Sequence, residues 1–198
     1  DTYNTAVGYD AGKEVTTGID NTLIGGLAGD AITDADYNVA VGKSSLGTNT
    51  VGSHSVAVGR NALFYQNPST ATDMYNTAVG SQAGNQVTTG VQNTFVGGLS
   101  GDATNTGEKN TAVGHNSLGA NTTGSGNTTV GSYSLDANTT ADDNTAIGQS
   151  SLGQNTKSSK NTALGRSALT TLNHTTATDG YNVAVGYDAG LSVTTGTK

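Results

Sequence analysis

The chain has 198 residues, only 34 of them Leu, Ile, Val or Phe, with 29 glycines, no cysteine and a net charge of −7. That composition excludes an ordinary helical or α/β enzyme domain, a disulfide framework, a thiolate metal site and a run of about 18 apolar residues able to span a bilayer. With eight Lys and Arg against fifteen Asp and Glu, it also argues against nucleic acid or an anionic membrane as partner.

The motif Asn-Thr-Ala-Val-Gly and its variants recur along the whole chain. They open at Asn4, Asn21, Asn38, Ser55, Asn76, Asn93, Asn110, Asn127, Asn144, Asn161 and Asn182. The spacing is 17 residues except in the units 55–75 and 161–181, which have 21. Self-similarity at a fixed short period is the mark of a repeat architecture. Seventeen residues are too few for a helix pair, and the motif is short and β-branched. The chain is therefore predicted to be all-β, a parallel β-solenoid of about eleven coils, with equivalent columns stacked about 4.8 Å apart. A single repetitive segment spanning 1–198 is expected. Because it opens and closes part-way through a repeat, it reads as an internal fragment of a longer fibre.

Numbering each unit from its Asn, position 2 is Thr or Val, position 4 is Val, Ile or Leu, position 5 is always Gly, and position 8 is Ala or Ser. Strand alternation puts positions 2 and 4 on one face, and their apolar content assigns that face to the core. The Gly at position 5 closes the strand where a side chain has no room or φ is positive. The recurring Asn at position 1 is expected to form an amide ladder along the stack. Positions 9 and 12 co-vary. Gly12, Gly29, Gly84 and Gly190 accompany Val15, Ile32, Val87 and Val193, whereas Leu46, Leu118, Leu135 and Leu152 accompany Asn49, Asn121, Asn138 and Asn155. We read this as one core slot filled from either side of a turn, conserving volume. Gly101 with Thr104 is the exception.

Position 3 is Ala in eight units and Leu23, Phe95 and Thr129 in the others. On the assignment above it points outward, so Leu23 and Phe95 are expected to mark an inter-chain face of a parallel homo-oligomer, with a trimer as the leading form. The two arginines of the chain, Arg60 and Arg166, both sit at position 6 of the long units, thirteen residues before Asp73 and Asp179. A guanidinium fork matches a carboxylate, so the pairs Arg60–Asp73 and Arg166–Asp179 are predicted to clamp the extra loops.

No catalytic, cofactor or metal site is predicted. His54, His115 and His174 fall in different columns, and Glu14 and Glu108, the two glutamates, are unrelated in position. Asp142 and Asp143 read as a solvated turn pair. Asp30, Asp34 and Asp36 cluster in one turn, where oxygen ligands can hold Ca²⁺, but ordinary turn chemistry for Asp is the preferred reading. Thr at position 13 in eight units raises an ice-binding array as an alternative function, beside a self-assembling surface filament.

The repeated Asn4-Thr5-Ala6-Val7-Gly8 with its [AS]-[LG] continuation, and segments such as Asn121-Thr122-Thr123-Gly124, resemble two related groups. These are the β-roll head repeats of trimeric autotransporter adhesins and the repetitive shafts of phage tail-fibre-like proteins. The likeness covers essentially the whole chain, although the 17-residue coil is longer than that of the adhesin heads. It implies a homotrimeric parallel β-roll on a virion or a bacterial surface. The function expected from it is a structural and adhesive fibre segment, extracellular, meeting an unidentified receptor that includes glycans among its candidates, with no membrane insertion.

Overall fold

A computed structural model describes residues 2–197. The chain winds into a parallel β-solenoid of eleven coils. Positions 2–4 of every unit form a three-residue strand, from Thr5–Val7 to Val183–Val185, and the eleven strands make one parallel sheet in chain order. The register is column on column, for example Thr111↔Thr128, Ala112↔Thr129 and Val113↔Val130. Two minor two-stranded pairings, Gly52–Ser53 with Thr72–Asp73 and Ser158–Ser159 with Thr178–Asp179, tie the returning limb of each long unit to the preceding coil.

The alternation of the strand is as expected, but its phase is the reverse. Position 3 faces inward: Leu23, Ala40, Ala57, Ala78, Phe95, Ala112, Thr129, Ala146 and Ala163 are all fully buried within one chain. Positions 2 and 4 face outward, with Val96 37% and Leu164 44% exposed. Leu23 and Phe95 are thus core residues and not an inter-chain face. The cause is the narrow cross-section of the coil. Most coils have Leu at position 9 filling the interior, which leaves room only for a small residue opposite, Ala or in one coil Thr129. Where position 9 is Gly the slot opens, and a larger side chain enters it: Leu23 and Phe95 at position 3 each fill the slot of their own coil and that of the coil before, and Leu169 fills that of Gly190. A Cβ added to Gly84 would lie 2.8 Å from the Phe95 ring, and one added to Gly101 2.3 Å from it. Gly12 and Gly29 stand in the same relation to Leu23, at 2.7 and 2.8 Å. The volume exchange between positions 9 and 12 also holds, since a Cβ on Gly29 would meet Ile32 at 2.9 Å. Gly101 has only Thr104 at position 12 because Phe95 occupies the space.

The asparagine ladder forms and fixes the phase of the strand. Asn21, Asn38, Asn76, Asn93, Asn110, Asn127, Asn144 and Asn161 are buried. Each side chain works in two directions. The Asn93 Oδ1 accepts from the Asn110 backbone N–H at 2.9 Å, and the Asn93 Nδ2 donates to the Gly107 carbonyl of its own coil at 2.9 Å. Buried amides need such partners, and a residue at position 1 that points inward forces position 3 inward as well.

One coil lacks the ladder residue. Ser55 replaces Asn, and Gln66 at position 12 of that coil takes over. Gln66 is fully buried, its Oε1 accepts from Asn76 Nδ2 at 2.9 Å, and its Nε2 donates to Ser55 Oγ at 3.1 Å. The other long coil pairs Asn161 with a buried Leu172 instead. Gln66→Leu leaves the Ser55 hydroxyl without its side-chain partner and the Asn76 Nδ2 with only its bond to the Gly90 carbonyl, and is expected to cost about 1–3 kcal/mol in urea unfolding. The double variant Ser55→Asn, Gln66→Leu recreates the pattern of the twin coil and should recover most of that loss.

Positive φ recurs at positions 5, 7 and 9 and at the last position of a coil, position 17 or, in the long coils, position 21; among the described residues 27 such residues are not glycine. Leu occupies such a position six times at position 9, for example Leu118 at φ 59 and Leu152 at φ 50. The left-handed conformation costs roughly 1–2 kcal/mol per residue. Hydrogen bonds between coils hold it. At position 7 the Tyr133 N–H donates to the preceding coil (His115 O, 3.1 Å), and at position 9 the Leu135 N–H donates to the following one (Ser151 O, 2.9 Å). The backbone thus reverses its hydrogen-bonding direction within two residues, which tightens the corner of the coil.

Candidate interaction surfaces

No cleft or cavity opens among the described residues, so the surface is a set of columns running along the rod. The strand face carries two of them. Position 2 presents eight threonines and three valines, and position 4 presents Val, Ile or Leu in every coil. None of these 22 side chains is charged. Among the described residues, the hydroxyls of the position-2 threonines have no hydrogen-bond partner within the chain.

The threonines at position 13 behave differently. Thr16, Thr33, Thr122 and Thr139 donate to backbone carbonyls of the next coil at 2.9–3.2 Å, and Thr50 and Thr156 donate to Asn67 and Asn173 at 2.7 Å. Those hydroxyls take part in the solenoid's internal bonding.

Position 16 carries a ladder not anticipated from the sequence. Asp36 Oδ1 accepts from the Ile19 N–H at 2.8 Å, Ser53 Oγ from the Asp36 N–H at 3.0 Å, Asp142 Oδ1 from the Ser125 N–H at 2.7 Å, and Ser159 Oγ from the Asp142 N–H at 3.0 Å. A short acceptor at this position satisfies the backbone of the coil before it. The recurrence of Asp and Ser there was the available signal. Asp34 likewise accepts from the Thr17 hydroxyl. Asp34 and Asp36 of the candidate Ca²⁺ turn therefore bond the neighbouring coil, and Asp30 lies half-buried apart from these bonds. Among the described residues, no three His, Cys, Asp or Glu side chains are grouped to hold a metal ion.

The two long coils project Ser69-Thr70-Ala71 and Thr175-Thr176-Ala177 into solvent. The predicted arginine clamps do not form. Arg60 Nη2 reaches Gln82 Oε1 at 3.4 Å, and Arg166 Nη1 donates to the Tyr187 hydroxyl at 3.1 Å, with the guanidinium over that ring. Both arginines follow Gly at position 5 and lie beyond one end of the strand. Asp73 and Asp179 precede position 1 and lie beyond the other end, so the strand separates each pair. The aspartates instead take a basic residue from position 17 of the preceding coil and the Tyr two residues on. His54 Nε2 lies 3.6 Å from Asp73, and Tyr75 donates to it at 3.4 Å. Lys160 Nζ lies 2.6 Å from Asp179, and Tyr181 donates to it at 3.1 Å. His54 is also stacked between Tyr37 and Tyr75, with ring centroids 4.8 and 5.1 Å apart. The hydrogen bond from Lys160 holds the Asp179 carboxyl below its usual range, and the same bond raises the Lys160 ammonium.

Three further carboxyls share position 10. Burial pushes Asp30, Asp102 and Asp136 above the ordinary carboxylate range. A raised acid in the folded state holds its proton more tightly than in the unfolded chain. Its contribution to stability therefore falls as pH rises from the ordinary carboxyl range through the raised value. Asp102→Asn is expected to raise the melting temperature at pH 7 and to bring no gain at pH 3, read from thermal melts of both proteins across that range.

Compared with known proteins, the chain matches no family model, no curated protein and no solved structure.

Proposed function

We propose that this chain is a structural and adhesive segment of an extracellular homotrimeric fibre, of the kind found in phage tail fibres and bacterial surface adhesins. The observation that carries this reading is the combination of an unbroken eleven-coil stack with two equivalent projecting loops. Ten coil spacings give a rod of about 50 Å, and the loops, six coils apart, are separated by roughly 29 Å along it. A rod supplies reach, and loops on a rigid solenoid are where contacts with partners gather. Repeated weak contacts gain avidity from being linked, by factors on the order of 10²–10⁴. The repeat's likeness to fibre and adhesin sequences supports the same reading.

The test is binding of labelled protein to a panel of bacterial cells and to a glycan array. The expected result is binding to at least one surface, lost or reduced by more than about tenfold when both loops are cut back, since two linked contacts then disappear. Absence of binding to every surface, or binding indifferent to the loops, would overturn the adhesive part of the proposal.

A further inference from the structure

We infer that the outward strand face formed by positions 2 and 4 binds ice. Other exposed columns of this acidic chain carry charge: Lys43 and Arg60 stand at position 6, Asp34 at position 14, Lys109 and Asp143 at position 17. Positions 2 and 4 carry none in any coil. They offer instead a rank of hydroxyl and methyl groups beside a rank of aliphatic ones. Position 2 is Thr in six consecutive coils, from Thr77 to Thr162, beside Val, Ile or Leu at position 4. The hydroxyls of that rank have no partner within the chain, so their donor and acceptor capacity is open to water. The column at position 13 is uncharged too, but its threonines from Thr16 to Thr156 have already given their protons to acceptors in the next coil.

A surface holds ice when its water-binding groups repeat at the distances of the oxygen lattice. Here the stacking of coils sets both distances. Neighbouring strands lie about 4.8 Å apart, and positions 2 and 4 of one strand about 6.6 Å apart, close to the two oxygen repeats on a prism face of hexagonal ice. The unbroken Thr rank runs for about 24 Å. The repeat is even along the rod. At all ten junctions between coils the position-2 N–H donates to the position-1 carbonyl of the next coil at 2.8–2.9 Å, and the position-5 N–H donates to the position-4 carbonyl of the preceding coil at 2.7–2.8 Å. Each strand is thus tied to its neighbours at both ends. A side-chain ladder such as the buried Asn column is the kind of device that holds a long sheet flat. Thr and Val are stiff about χ1, so the array meets the crystal with little rotamer freedom to lose. Its methyl groups restrict the orientation of the water over them while the hydroxyls bond it, and no charged group on the face holds a competing hydration shell.

The test places the intact chain in a nanolitre osmometer. The expected result is a gap between the melting and freezing temperatures, with growing crystals held to faceted shapes. The double variant Thr94→Lys, Thr128→Lys sets two strongly hydrated ammonium groups in the Thr rank. It should lose both effects while keeping its β circular dichroism, because both side chains point away from the core. Thr123→Lys, on an exposed turn, should keep both effects. A second measurement does not depend on the folding of the lysine variants: the labelled wild-type chain should enter a slowly growing ice hemisphere that excludes a charged soluble control protein. Unshaped crystals that freeze at their melting point, or exclusion from the hemisphere, would overturn the inference, and so would activity that survives Thr94→Lys, Thr128→Lys. Retention on crystalline cellulose or chitin with no effect on ice would also overturn it, by assigning the face to a polysaccharide crystal. The fibre reading is tested separately, since its cell and glycan binding depends on the projecting loops and should be unchanged in the lysine variants.

Discussion

Phe95→Ala is expected to cost about 3–5 kcal/mol in denaturant unfolding, the range for truncating a buried aromatic. The upper part of that range applies here, because little can collapse into the space. The ring is fully buried and fills the slots left by Gly84 in the coil before it and Gly101 in its own. The surrounding backbone is pinned by hydrogen bonds between coils, such as Gly84 N–H to the Ser100 carbonyl at 2.9 Å and Gly101 N–H to the Ser117 carbonyl at 2.9 Å. Gly101→Leu alone should also destabilise, by about 1–3 kcal/mol or more, since its Cβ would stand 2.3 Å from the ring and overpack the coil. The double variant recreates the next coil, where Ala112 faces Leu118 at φ 59. It should be more stable than either single variant, a coupling that a double-mutant cycle measures directly. Additive losses would refute the shared slot.

Gly148→Ala should cost on the order of 3 kcal/mol or more, from a backbone conformation reserved for glycine and from a clash with main chain. Gly148 has φ +129, and a Cβ there would lie 2.5 Å from the Gly165 carbonyl carbon and oxygen and 2.8 Å from the Arg166 nitrogen. Neither coil can retreat, because the Gly148 N–H donates to Val130 O at 2.7 Å and the Gly165 N–H donates to Ile147 O at 2.7 Å. Gly26→Ala serves as the contrast. Its Cβ would meet nothing closer than the Tyr9 carbonyl oxygen at 4.0 Å, so urea unfolding should register little change. Equal losses at the two sites would mean that the stacking distance is softer than the geometry indicates.

Both effects trace to the same economy. A 17-residue coil has so thin a cross-section that each interior position is set by its neighbours in the same and adjacent coils. This explains how a chain so poor in large apolar residues folds. Its interior is closed by Ala, Ser and Gly fitted to a few Leu, Ile and Phe, and by amides that carry their own hydrogen bonds. Burial of polar groups without partners is avoided almost throughout. Among the described residues the one buried side-chain atom without a partner is His174 Nε2, at the base of the second projecting loop, where the first loop has Pro68.

The architecture follows from the repeat alone. A 17-residue period, a strand-length motif and an invariant Gly leave a parallel solenoid as the economical solution, and the Asn column and the exchange between positions 9 and 12 are legible as a ladder and a shared slot. The direction in which the strand faces was also written there, in the coincidence of Leu23 and Phe95 with glycines at position 9. Hydrophobicity alone pointed the other way, because Val outnumbers Ala in size but the coil interior has room for Ala. Tertiary structure decided what depends on distance across the coil. Arg60 and Asp73 recur together in the long units, yet a strand lies between them, and His54 becomes the neighbour through stacking rather than sequence. It also decided the backbone. Leu and Tyr in the left-handed region, at positions such as Leu118 and Tyr133, cannot be read from residue preference, since that conformation is held by hydrogen bonds to the coils on either side, and those exist only once the coils have stacked.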